Sequence, residues 1–167
     1  MKIKILTILL ILVSWGCSSQ TTETKPKFFK ANVDNITIEV PVGFEKVQGQ
    51  NGFLHKGSAS TLMINEIKNS PFVFSADHFN AENLEQDGAK LMDKQELKTS
   101  SGLDAVLYTL ALSIKSNDNT TNVDFERMVL ITGNENTTVY IVANYPVIIK
   151  KLIQETMKTS ITSVIIN

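Results

Sequence analysis

The chain has 167 residues, with 16 Lys and Arg against 17 Asp and Glu, and 43% of it is hydrophobic. That length holds one domain, or one domain with an appendage. A net charge of -1 excludes both a binder held to nucleic acid by charge and an acidic disordered tail, while the apolar content is that of a globular protein.

The N-terminus comes first. Lys2 and Lys4 are the only charged residues among the first 16, and they precede an apolar run over residues 5–13 that only Thr7 interrupts. The run is too short for a permanent membrane span and fits an export signal. It ends at Ser14-Trp15-Gly16-Cys17. This resembles a bacterial lipoprotein signal, which implies that residues 1–16 are removed and that Cys17 is acylated as the first mature residue. Cys17 is also the only cysteine. No intramolecular disulfide can form, and thiolate zinc sites are excluded. Acylation accounts for a lone thiol in an exported protein. Each buried lipid methylene contributes about 0.8 kcal/mol, so two or three palmitate-like chains anchor stably where one does not. The alternative is an ordinary signal peptide followed by an unrelated cysteine.

Residues 17–32 read as the lipidated cysteine and a flexible tether. Residues 18–27, SSQTTETKPK, contain no apolar side chain. Basic residues are scattered, and Lys25, Lys27 and Lys30 near Phe28-Phe29 at most brush anionic headgroups beside an anchor. The domain is expected over residues 33–167.

Within it, residues 35–40 alternate polar and apolar with period two, which predicts a half-buried strand that Pro41 and Gly43 end. Residues 52–56 and 61–67 predict a hairpin turning at Gly57-Ser58. A helix is expected over residues 76–87, with Ser75 as N-cap, Asp77 in the first turn and Gly88 after the end. Residues 91–99 predict a polar strand with Leu91 and Leu97 on one face. Residues 103–115 predict the longest strand, with Val106, Tyr108, Leu110, Leu112 and Ile114 on one face and Ala105, Leu107 and Ala111 on the other. Strands over 123–132 and 139–143 follow. The second is apolar on both faces, as a central strand should be. After Pro146 the period changes. Ile149, Leu152, Ile153, Met157, Ile161 and Val164 recur at helical spacing, predicting an amphipathic helix. The β-branched residues 161–166 leave a terminal strand as the alternative. The sum is an α+β domain, an antiparallel sheet with helices packed on it.

Three segments in this order carry a family resemblance. Ile38-Glu39-Val40-Pro41-Val42-Gly43-Phe44, Gly102-Leu103-Asp104-Ala105, and Tyr140-Ile141-Val142-Ala143 with the later Ser160-Ile161-Thr162-Ser163 resemble the PsbP-like/DcrB-like superfamily. The resemblance runs from about Val33 to the C-terminus. It implies an αβα sandwich. The superfamily includes photosystem accessory subunits, a nuclear-import GTPase cofactor and many envelope lipoproteins. It has no common catalytic motif, so no site residue is carried over.

The residues themselves offer little chemistry. The two histidines, His55 and His78, form no HxxxH, HxH or HExxH arrangement. Ser75, Asp77 and His78 spell a triad on paper, but neighbours in one helical turn point apart, and capping explains the first two. Glu82, Glu85 and Asp87 read as a solvated helix face, and Asp124 with Glu126 as an exposed strand face. Asn117-Asp118-Asn119 lacks the glycine and closing glutamate of an EF-hand loop. No phosphate-binding loop is present. Phe72-Val73-Phe74 lines a pocket mouth in one reading and lids the core in the other.

The expectation is therefore a non-catalytic binding or accessory module of the bacterial envelope, without cofactor or metal and without nucleic acid. Membrane lipid holds it through Cys17, and its partner is an envelope protein or an apolar ligand. The periplasmic face of the outer membrane is favoured over the inner membrane. The alternative is an apolar-ligand carrier, or a hydrolase without a recognisable motif, using a pocket between sheet and helix.

Overall fold

The computed structural model describes residues 26–73, 88–115 and 121–167. Their strands are β1 (Phe28–Val33), β2 (Ile36–Pro41), β3 (Glu45–Lys46), β4 (Gly52–His55), β5 (Ser60–Lys68), β6 (Ala89–Lys98), β7 (Asp104–Lys115), β8 (Asn122–Gly133), β9 (Thr137–Pro146) and β10 (Ile165–Ile166). A 3-10 turn, Val147–Ile149, leads into helix α1, Lys150–Thr162. Seven strands form one sheet in the order β3-β4-β5-β9-β8-β7-β6, and three form a second in the order β1-β2-β10. Every pairing is antiparallel.

The central position of β9, between β5 and β8, follows from its composition. Val139, Ile141 and Ala143 are buried on one face, while Tyr140 and Val142 pack on the other. The two expected faces of β7 also form. Ala105 and Leu107 join the core beneath α1, and Val106, Tyr108 and Leu110 join the core on the opposite face. Met157, Ile161 and Val164 press onto the first of these cores together with Ile36, Ile38 and Val40 of β2. Each such side chain contributes about 1.5–3 kcal/mol by leaving water.

The helix is also bolted in place by polar groups. Ser160 Oγ donates to the Glu39 carbonyl at 2.5 Å, and the Glu39 N–H donates to Ser163 Oγ at 2.8 Å. The carbonyls of Thr162 and Val164, at and just past the helix end, accept from the Ser100 N–H at 2.8 Å and Ser101 Oγ at 2.7 Å. A helix terminus leaves such carbonyls orphaned unless something supplies donors. Here the β6–β7 turn supplies them.

Four expectations need correction. The domain begins at β1, inside the expected tether, because the β1 backbone pairs with the whole of β2 and turns Ala31 and Val33 into the core. Leu91 and Leu97 lie on opposite faces. The β6–β7 register slips between Leu91 and Asp93, and a bulge of one residue reverses every later side chain. Leu152 is not on the buried stripe of the helix. It is 84% exposed, because the face that meets the sheet runs through Ile149, Ile153, Met157, Ser160 and Ile161. The C-terminal alternatives both hold in part: α1 ends at Thr162, and Ile165–Ile166 pairs with β2. The helix expected over 76–87 lies outside the described residues.

The sheet has two distinct ends. The end of β7, the start of β8 and the end of β9 meet at one of them, where Lys115 faces Asn122 and Phe125 faces Pro146. The β4–β5 turn lies there too, since His55 faces Ser60 and Thr61 faces Asn144. The turn after β2 approaches His55, and β1 starts opposite Pro41. The chain thus arrives at this end, called proximal below. The β6–β7 and β8–β9 turns mark the distal end.

Candidate functional site

Strand parity places Glu126 on the same face of β8 as Met128 and Leu130, beneath α1. It is buried, not on an exposed strand face as expected; Asp124 alone is exposed. A buried carboxylate is tolerated only with partners, and Glu126 has three. Tyr145 Oη donates to Oε1, Lys150 Nζ donates to Oε2 at 2.5 Å, and Gln154 Nε2 donates to Oε1 at 3.2 Å. Lys150 and Gln154 stand one helical turn apart, so one helix face supplies both donors. Burial, and then the hydrogen bond to the Glu126 carboxylate, push the Tyr145 hydroxyl far above the usual phenol range. Tyr145 therefore keeps its proton at neutral pH and donates a hydrogen bond to the carboxylate.

Glu126, Lys150 and Gln154 form one wall of a cavity of about 340 Å³ under the helix, which Asp93, Gln95, Thr109 and Lys158 also line. A second cavity, of about 580 Å³, opens at the distal end. Its lining includes Pro71, Phe72, Val73, Gly102, Leu103, Asp104 and Asn134 and is mainly apolar. Phe72 packs on the core opposite α1, while Val73 is 69% exposed. The segment therefore does both things expected of it, one residue lidding the core and the next lining a mouth; Phe74 lies outside the described residues.

His55 is structural. Its ring lies 5.4 Å from that of Phe44, and Nδ1 bonds Ser58 Oγ at 2.8 Å, which donates to Ser60 Oγ at 2.8 Å. Gly43, at φ +99°, passes so close that a Cβ there would stand 3.1 Å from this ring. Cys17, Ser75, Asp77, His78, Glu82, Glu85, Asp87 and Asn117-Asp118-Asn119 lie outside the described residues. Among the described residues, no three His, Cys, Asp or Glu side chains gather as a metal site. On the sheet face away from the helix, Arg127 Nε bonds Asn144 Oδ1 at 2.6 Å, and Asn144 Nδ2 bonds Thr61 Oγ1 at 2.9 Å, a polar ladder across β8, β9 and β5.

The strand order can be set beside solved structures. A Pseudomonas aeruginosa protein of unknown function, PA94, superposes with a TM-score of 0.54 at 14% identity, over 83% of this chain and 96% of that one. The solution structure of cyanobacterial PsbP (CyanoP) from Synechocystis sp. PCC 6803 superposes with a TM-score of 0.53 at 11% identity, over 92% of this chain and 99% of that one.

The fold is PsbP-like.

A Bacteroides thetaiotaomicron structure matches with a TM-score of 0.51 at 15% identity, over 85% of this chain but 48% of that one. No family model and no curated protein matches the sequence. At these identities the likeness is one of fold. The Glu126 network is described from this chain alone.

Proposed function

We propose that the protein is a bacterial envelope lipoprotein, held to a membrane by acylated Cys17 and serving as a non-catalytic binding or accessory module. The observation that carries this reading is the N-terminus. A basic and then apolar segment ends at the chain's only cysteine, and the polar residues 18–27 alone separate that cysteine from β1. The polar groups gathered under α1 favour a structural role, because Glu126, Tyr145, Lys150 and Gln154 satisfy one another and leave no nucleophile beside a base.

A Cys17→Ser variant should lose palmitate labelling and leave the membrane fraction. Wild-type protein that is unlabelled and soluble sinks the reading. The partner is then sought by capturing the detergent-extracted protein from its native envelope. A stoichiometric protein supports the accessory role. Co-purified lipid supports the second reading, an apolar-ligand carrier, which the mainly apolar distal cavity favours.

A further inference from the structure

Six of the eleven exposed large apolar side chains among the described residues gather at one end of the domain, while Ile67, Val73 and Ile165 stand away from it. Val42, Val147, Ile148, Leu152, Ile114 and Val123 all stand at the proximal end, with Ile148 92% and Leu152 84% exposed. Their placement follows from the topology. Val42 sits in the turn that closes from the Phe44 N–H to the Pro41 carbonyl, where polar residues are usual. Val147 and Ile148 follow the end of β9, Leu152 lies in the first turn of α1, and Ile114 faces Val123 across β7 and β8. The N-terminal segment arrives at this same end, since the Val42 N–H donates to the Lys27 carbonyl at 2.8 Å. Exposed Lys27, Lys115 and Lys151 stand among these residues. The acids nearby are Asp124 and Glu155, which are exposed, Glu45, which pairs with Lys56, and Glu126, which pairs with Lys150.

We infer that the proximal end rests on the lipid bilayer, with Ile148 and Leu152 below the headgroups and Lys27 and Lys151 at the level of the phosphates. The inference rests on the lipid-anchor reading and adds an orientation to it. Residues 18–27, even fully extended, reach only about 35 Å from Cys17. A twelve-residue strand is itself about 40 Å long. The anchor therefore keeps the proximal end within about 35 Å of the bilayer, and the distal end can approach only by turning the domain over. Apolar side chains ringed by lysines are what an anionic interface takes up, to a depth of about 5–10 Å.

The test uses the absence of tryptophan from the mature chain, since Trp15 is the only one. Acylated protein carrying Ile148→Trp is reconstituted into phosphatidylcholine–phosphatidylglycerol vesicles with brominated acyl chains. Ile67→Trp, towards the distal end, is the comparison. Both variants should float with the vesicles, and the Ile148→Trp indole should lose about half its emission to the bromolipid while the Ile67→Trp indole loses little. If both float and neither is quenched, the orientation is wrong and the anchor stands. An Ile148→Trp indole shielded from aqueous iodide yet silent to bromolipid points to a second copy of the chain on this surface, and also overturns the proposal. Protein that carries no acyl chain and does not float removes the anchor reading and the orientation with it.

Discussion

Tyr145 and Glu126 show how one hydrogen bond sets a pH response. Burial and the neighbouring carboxylate raise the Tyr145 pKa well above the ordinary value near 10. A group whose pKa is raised on folding contributes stability that is fully present below the unfolded pKa and is lost as pH rises towards the folded one. Melting midpoints should therefore fall as pH climbs past about 10, and Tyr145→Phe should flatten that fall. At neutral pH the same variant should cost about 1–2 kcal/mol, because Glu126 loses a buried donor. Glu126→Ala should cost more, about 1–3 kcal/mol, since it orphans the buried Tyr145 hydroxyl. Lys150→Ala should cost less, about 0.2–1 kcal/mol, because its side chain is 41% exposed and the attraction is screened. Chemical denaturation of the three variants checks the order. The buried site of Glu126 was readable from the parity of β8, where it shares a face with Met128 and Leu130. What hid it was that β8 is buried on both faces, so a lone acid looked like a solvent marker. Its partners were not readable, since Lys150 and Gln154 come from an element that meets β8 only in the folded chain.

At the scale of elements, α1 gives the sharpest contrast. Met157 is fully buried and Leu152 is 84% exposed, although both fit one helical repeat in the sequence. Met157→Ala should cost about 2–5 kcal/mol. Leu152→Ala should stay within about 0.5 kcal/mol of the parent. Thermal unfolding of both decides the matter, and equal losses would place the stripe wrongly. The period alone could not separate them, because Leu152 sits one step round the helix from Ile149, Ile153 and Met157, at the edge of any apolar arc drawn through them. The β6 bulge had no signal either: a slip of one residue depends on how β6 meets β7, not on its own alternation. β1 escaped notice for a related reason. Its six residues, two of them polar, follow no strict alternation and become a strand through pairing with β2, whose alternation was plain.

For the whole molecule, the long apolar strands and the shift of period after Pro146 made the α+β architecture readable, down to the two faces of β7 and the central place of β9. The second sheet was not readable, because β10 has two residues and β1 lay in a segment read as tether. The proposed lipid anchor concerns the mature molecule, and it has two consequences. If residues 1–16 are removed as proposed, the only tryptophan goes with them, and pure mature protein should emit as a tyrosine protein, from Tyr108, Tyr140 and Tyr145. A tryptophan-like spectrum would mean that the signal stays on. The most direct measurement is the intact mass, with N-terminal fragmentation, of protein extracted from the envelope of the cell that makes it. The account predicts a chain that begins at Cys17 and carries two or three fatty acyl groups. A chain that begins elsewhere, or that begins at Cys17 with a free thiol, would contradict it.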